Sequence, residues 1–383
     1  MKPFAHRTDP LRESIFTTIS NRARELGAVN LGQGFPDFDG PQWLVEAARA
    51  SLGGEGLANQ YAHTSGAPAL RAAIARQQRE DWAAEFDPDS EITVTVGATE
   101  ALYATLQTLV DAGDEVVVFE PFYDSYVATL QMIGAVPRPV TLRWPSFGFD
   151  DGELARAFGP RTKAVMINSP HNPTGKVFSR EELERIGALA IRHDCWIVTD
   201  EVYEYLTYER SHREFVQWRS QPAIRERCIA ISSAGKTFGM TGWKVGWAMA
   251  PADVSRRLRL VHQFIPFCAP HPFQHAFAHA LERRHEYLED FRREYRHRRD
   301  LLAEGLRALG HAVLPSEGTY FLQVYVEEGT EAFCRRLLER HRVAVLPTAP
   351  FYLDAASQGA NIVRLCFAKR EETLREALRR LGE

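Results

Sequence analysis

A lysine that follows an apolar strand is costly to bury unless a partner or a covalent role awaits it. Lys236 is such a residue, set between Gly235 and Thr237 directly after the apolar run Cys228–Ser232. Lysine is scarce here, at positions 2, 163, 176, 236, 244 and 369, and arginine supplies most of the positive charge. Other reactive groups stand in the same relation to apolar runs. Glu91–Val96 leads to Gly97-Ala98-Thr99, Glu115–Phe119 to Glu120-Pro121-Phe122-Tyr123, Lys163–Ile167 to Asn168 and then Asn172-Pro173-Thr174-Gly175, and Trp196–Thr199 to Asp200 and Tyr203. Each also has a plain structural reading. Gly97–Thr99 is either a tight strand-to-helix turn or an anion site built from free N–H groups at a helix start. Asn172 can open a proline turn, and Asp200 can cap a helix.

The runs of four to six apolar residues alternate with helical patterns at 67–79, 99–110 and 125–133, and at 179–193, where Ser179 and Glu182 form a capping box. That alternation predicts an α/β fold whose mostly parallel central sheet has both faces covered. In an open sheet of this kind ligands bind beyond the carboxyl ends of the strands, so the groups above gather on one edge. After Pro251 the pattern changes to charged helices over 253–309, then to strands at 320–326, 343–346 and 362–367 and a last helix carrying Leu374, Leu378 and Leu381, a smaller α+β domain. The expected division is 1–45 as an arm that also joins the small domain, 46–280 as the large domain and 281–383 as the small domain. In the arm, Ile15, Phe16 and Ile19 share a helical face.

Composition narrows the function. The chain has 383 residues, 45% hydrophobic and 25% charged, with a formal net charge of −4, giving no electrostatic reason to expect nucleic acid. No apolar run is long enough to span a membrane, and the polar start reads as no signal peptide, so a cytoplasmic protein is expected. The five cysteines, with no CxxC pair, suggest neither a zinc site nor a disulfide framework; Cys195 and Cys366 read as small buried apolar residues. HExxH and Walker A patterns are absent, and His171 and His193 read as surface or turn residues.

An anion site, an aromatic ring, an amide, a carboxylate, a phenol and a lysine on one edge suit a single cofactor. Pyridoxal 5′-phosphate has the matching phosphate, flat ring, basic nitrogen, phenolic oxygen and aldehyde.

The segment Ser232-Ser233-Ala234-Gly235-Lys236-Thr237-Phe238-Gly239-Met240-Thr241-Gly242-Trp243-Lys244-Val245-Gly246-Trp247, with Asn172-Pro173-Thr174-Gly175, Asp200, Tyr203 and Arg364 in order, strongly resembles the class I/II aminotransferases, which are fold type I pyridoxal-phosphate enzymes. The resemblance runs from about Phe16 to the C-terminus. Through 30–41, 59–61 and 361–369 it leans toward the methionine aminotransferases and the kynurenine/glutamine transaminases.

The resemblance implies that Lys236 attaches the cofactor and moves the substrate proton, and that Asp200 faces the ring nitrogen. It implies that Asn172 and Tyr203 meet the phenolic oxygen and that Tyr123 stacks on the ring. Ala98, Thr99, Ser233 and Lys244 would hold the phosphate, joined by Tyr61 from a neighbouring subunit of a homodimer with shared active sites. Arg364, helped by Gly34 and Asn172, would clamp the α-carboxylate, and Phe16, Phe35, Tyr61, Tyr123 and Phe351 would wall the side-chain pocket. The implied reaction is transamination between an amino acid and a 2-oxo acid, with methionine or another apolar or aromatic donor favoured, and kynurenine/glutamine transamination or cysteine-conjugate β-lysis as alternatives. No metal is expected.

Overall fold

A computed structural model describes residues 2–54, 58–314, 316–354 and 361–383. Among the described residues thirteen strands form three sheets. The large sheet holds β2 (Ile92–Thr95), β3 (Glu115–Glu120), β4 (Val136–Thr141), β5 (Thr162–Asn168), β6 (Trp196–Asp200), β7 (Cys228–Ser233) and β8 (Gly246–Met249), in the order β2-β8-β7-β6-β5-β3-β4. β8 runs against both its neighbours and the other pairings are parallel. β9 (Ala312–Leu314), β10 (Phe321–Tyr325), β12 (Leu346–Pro347) and β13 (Ile362–Cys366) form a four-stranded antiparallel sheet, and β1 (Val29–Asn30) pairs in parallel with β11 (Val343–Ala344).

The large sheet is buried on both faces, as its nearly unbroken apolar strands require. Side chains alternate across it with period two. Val116 and Val118 pack with Met166 and Val198 under the Gly97–Leu109 helix. Val117 and Phe119 pack on the opposite face with Val165, Ile167 and the Arg180–Arg192 helix. The helix expected over 67–79 spans Pro68–Trp82, and its predicted apolar-face residues Leu70, Ala73, Ile74 and Gln77 are all buried. The five cysteines are free, and Cys195 and Cys366 are fully buried.

β4 was not anticipated. Its sequence, Val-Pro-Arg-Pro-Val-Thr, carries two prolines. It lies at the sheet edge, paired only with β3 among the described strands, where the missing N–H groups leave no ladder bond broken.

One hydrophobic cluster runs from Leu70 and Phe277 through Leu302 and Leu306 of the His285–Ala308 helix to Phe321 and Val363. The two parts of the chain are therefore packed together rather than strung on a linker. We place their division at about residue 280, just before that helix.

The capping box is present as the sequence indicated: Ser179 Oγ accepts from Glu182 N–H, and the Glu182 carboxylate accepts from Ser179 N–H. Ser179→Ala is expected to destabilise the apo chain by about 1 kcal/mol in urea unfolding and to leave turnover unchanged.

Candidate active site

The carboxyl ends of β2, β5, β6 and β7 open on one cavity of about 310 Å³. β2 ends at Thr95 and a helix starts at Gly97, which has φ +72°, so the Ala98 and Thr99 N–H groups lie among those that an α-helix leaves unpaired in its first turn. A side chain at Gly97 would put Cβ 3.3 Å from Lys244 Nζ, and one at Gly246 would put it 2.6 Å from Ala98 N. Two glycines thus keep backbone, helix start and Lys244 in close approach. Lys244 itself takes a left-handed backbone, φ +52°, rare for a side-chain-bearing residue. Ser233 completes this end of the cavity. Backbone N–H groups, a hydroxyl and an ammonium converging on one space are the donor set of a phosphate site.

Asp200 lies at the cavity floor and is buried. It accepts from Tyr126 Oη–H at 2.6 Å and from Val202 N–H at 3.3 Å, and Asn168 Nδ2 donates to its backbone carbonyl. Burial raises its pKa to about 6 against the lowering effect of the Tyr126 bond. A turn over 202–205 follows it in place of a helix, so the capping reading falls away. Lys236 is desolvated in turn, and its pKa drops to about 8. Its Nζ donates to Tyr320 Oη at 3.0 Å.

Tyr123 lines the wall, edge-on to Tyr126 at 5.6 Å, and burial pushes its phenol up to about 12. Tyr203 is buried beside it, and its pKa too is raised by burial. At the opposite end Arg364 is 1% exposed. It donates through Nη1 to Asn172 Oδ1 and through Nη2 to Gly32 O, each at 2.9 Å, while its buried Nε has no partner. Its guanidinium lies 4.0 Å from the Phe321 ring centre and 4.9 Å from that of Phe16. Gly34 lines the cavity at this point, where a Cβ would lie 3.2 Å from Phe321 and 3.5 Å from Arg364 Nη2.

The cavity therefore gathers Phe16, Gly34, Phe35, Ala98, Thr99, Tyr123, Asn172, Asp200, Tyr203, Ser233, Lys236, Lys244 and Arg364 from the sequence expectation. Two expected residues lie elsewhere. Phe351 sits behind Phe16, stacked on it at 5.7 Å, and supports the wall without lining it. Tyr61 is 80% exposed, edge-on to Phe267 at 5.2 Å, and does not line this chain's own cavity. His171 is the turn histidine that was expected, but a buried one; burial lowers its pKa to about 3 and it binds Thr174.

Sequence reasoning did not single out Tyr126 or Tyr320. Tyr126 stands three residues after Tyr123 on a helix that starts at Asp124, a spacing that could have suggested a second ring toward the same site. For Tyr320 we find no such signal.

The phosphate cradle, the buried carboxylate, the unpartnered guanidinium nitrogen and the lysine of depressed pKa fit a pyridoxal-phosphate enzyme that holds an amino-acid carboxylate. Comparison with known proteins gives the family. Residues 27–381 match aminotransferase class I and II, and the chain belongs to that family, whose cofactor is pyridoxal phosphate. It is 41% identical to the methionine aminotransferase of Escherichia coli (strain K12), over 97% of this chain and 96% of that one. It is 35% identical to kynurenine–oxoglutarate transaminase 1 of Homo sapiens, over 97% and 95%. The solved N-succinyldiaminopimelate aminotransferase of Mycobacterium tuberculosis superposes with a TM-score of 0.93 at 41% identity, covering 99% of both chains. This places the chain among the fold type I enzymes. Among the described residues no helix is long and apolar enough to cross a membrane, and no cluster of metal-binding side chains occurs.

The buried Asp200 gives a test with a defined sign. Its pKa is raised on folding, so its favourable contribution is present below the unfolded value near 3.8 and is lost as pH rises through about 6. Asp200→Asn is therefore expected to stabilise the cofactor-free chain at pH about 8, by the order of 1 kcal/mol in urea unfolding. If Asp200 faces the cofactor ring nitrogen, as the resemblance implies, the same variant is expected to lose at least about a hundredfold in kcat, because the ring would lose its counter-ion.

Proposed function

We propose that this aminotransferase takes an amino acid with an apolar or thioether side chain, methionine above all, as its amino donor. One observation carries the reading. The described cavity-lining cations are Lys236, Lys244 and Arg364, and each has a role before any side chain is read. The region around Arg364 is aromatic, with Phe16, Phe35 and Phe321 in the lining. Aromatic edges and faces suit a polarisable sulfur or a hydrocarbon chain and offer a distal carboxylate no partner. Lys369, beside this region, is engaged by the Gln33 and Phe35 carbonyl oxygens and is not available to fill that gap. A kynurenine donor is the second reading, because the same rings would stack on its aryl group.

Bound in this cavity, pyridoxal phosphate supplies an aldehyde to receive the amino group and a ring that takes up the electron pair left when the Cα–H bond breaks. Ala98, Thr99, Ser233 and Lys244 hold the phosphate. Asp200, its carboxylate fixed by Tyr126, would hold a negative charge at the ring nitrogen. Tyr123 would cover a face of the ring, and Asn172 and Tyr203 would meet its phenolic oxygen. Arg364 clamps the α-carboxylate with Gly34 alongside, and Lys236 carries the proton away from Cα and returns it. Its lowered pKa makes the free amine abundant at mildly alkaline pH.

We also infer a homodimer whose partner supplies Tyr61 to this site. Tyr61, Phe264, Ile265 and Phe267 form an exposed apolar group, and such a patch favours a covering surface.

Three measurements test the reading. With each amino acid added alone to the loaded protein, the cofactor absorbance is expected to change fastest with methionine and slowly with kynurenine; the reverse order selects the second reading. Release of pyruvate and ammonia from cysteine conjugates outrunning every donor would make the principal activity a β-lyase. Arg364→Lys is expected to lower kcat/KM by roughly tenfold to a hundredfold for every donor, since a lysine cannot form the two-pronged carboxylate contact. A loss confined to one donor would refute the α-carboxylate role.

A further inference from the structure

The segment from Gly32 to Phe35 is held in an unusual way. Its four successive carbonyl oxygens each accept from a side chain distant in sequence. Arg364 donates to Gly32 O, Lys369 to Gln33 O at 3.3 Å and to Phe35 O at 2.7 Å, and Tyr320 Oη to Gly34 O at 2.8 Å. Tyr320 also receives Lys236 Nζ at 3.0 Å. One phenolic oxygen thus joins the substrate-side loop to the lysine that moves the proton.

The direction of both bonds follows from chemistry. A carbonyl oxygen only accepts, so the single hydrogen of Tyr320 is committed to Gly34 O. Tyr320 is 1% exposed and burial holds its pKa well above the ordinary value, so the phenol keeps that hydrogen. Its lone pairs are left for Lys236, which must donate an N–H to it whether charged or neutral. In the neutral amine the lone pair then points away from Tyr320.

The backbone is arranged for this contact at some cost. Thr319, just before Tyr320, is a β-branched residue at φ +64°, a conformation that such residues avoid. It is held there by its N–H to Leu206 O, by Tyr208 Oη–H to its carbonyl, and by its hydroxyl accepting from Phe321 N–H. The result sets the Tyr320 ring edge-on to Tyr203 at 5.2 Å, with its hydroxyl between Lys236 and Gly34.

We propose that Tyr320 is the positioning residue for Lys236: its hydroxyl, oriented by the Gly34 carbonyl, aims the ε-amine for proton transfer at the substrate Cα. Tyr320 gives up no proton of its own in this role. The proposal rests on the aminotransferase chemistry above and not on the choice of amino donor.

The test is Tyr320→Phe, which keeps the ring and removes the oxygen, beside Tyr295→Phe. The latter removes a hydroxyl from a ring packed against Tyr320 at 6.3 Å and leaves the Lys236–Tyr320–Gly34 chain in place. Trace acetylation of the cofactor-free protein with acetic anhydride, read peptide by peptide by mass spectrometry, gives the titration of Lys236, with exposed Lys163 as internal reference. The groups acting on Lys236 besides Tyr320 and Tyr203 are Cys366, Asp200, Arg364 and Lys244, and all stay unchanged. Loss of an acceptor for the ammonium is expected to lower the Lys236 midpoint by about half a unit or more in Tyr320→Phe and to leave it at wild type in Tyr295→Phe.

In the loaded enzyme, Tyr320→Phe is expected to slow the methionine half-reaction about tenfold, with KM changed less than about threefold and a larger rate difference between α-protio and α-deuterio methionine. An unchanged Lys236 midpoint, or a half-reaction within about twofold of wild type, overturns the proposal. If wild type does not convert methionine, the donor reading fails, and Tyr320 is judged on the Lys236 midpoint.

Discussion

Asp200 carries a carboxylate buried away from solvent, and we take its burial as the constraint on which the proposed site depends. Removing a carboxylate from solvent is costly unless it is hydrogen-bonded and paired. Tyr126 supplies a hydrogen bond, the Val202 N–H supplies a weaker one, and the pKa remains raised. A cationic ring nitrogen held against Asp200, as proposed, would relieve that penalty and would itself be kept protonated. The fold gives this contact its place. β6 is the middle strand of the seven, and its last residue is flanked in register by Asn168 of β5 and Ile231 of β7. The sheet thus presents the charge at its centre, with the lysine one strand away and the phosphate cradle toward the β2 side.

Behind Asp200 the buried polar side chains are tied to one another. Glu201 is buried against Arg219 Nε at 2.8 Å and His212 Nε2 at 2.9 Å, and Glu204 accepts from Ser232, Gln77 and Trp82. Such a network leaves the 200–205 turn little freedom, and it ties the turn to the Pro68–Trp82 helix. On the substrate side the order comes from the small sheet. Arg364 on β13 and Tyr320 just before β10 reach the same Gly32–Gly34 backbone that the substrate would meet. On the proposed reading the cofactor side and the substrate side are thus built by different parts of the chain, with Lys236 where they would touch.

What could be read from sequence follows the range of the interactions. Strand and helix placement depends on local periodicity, and the expected strands and the helices over 67–79, 99–110, 125–133 and 179–193 lie within one to three residues of those seen, except that the one strand expected over 343–346 is two, β11 and β12, which join different sheets. The strand ends then name Lys236, Asp200, Asn172 and Ser233, because sheet topology brings strand ends together without any knowledge of side-chain contacts. β4 escaped because its prolines argue against a strand and its edge position cannot be read locally. Tyr126 and Tyr320 escaped because their hydroxyls find partners 74 and 84 residues away, at Asp200 and Lys236, and for Tyr320 also 286 residues away at Gly34. Phe351 was expected in the wall, and its place behind Phe16 depends on how the arm packs, which periodicity does not report.

The claim that Asp200 holds a protonated ring nitrogen is open to direct observation. Protein loaded with cofactor carrying nitrogen-15 in the pyridine ring would be measured by NMR across neutral and mildly alkaline pH, in wild type and in Asp200→Ala. The account predicts a protonated nitrogen throughout this range in wild type and an unprotonated one in the variant. An unprotonated nitrogen in wild type at neutral pH would contradict it.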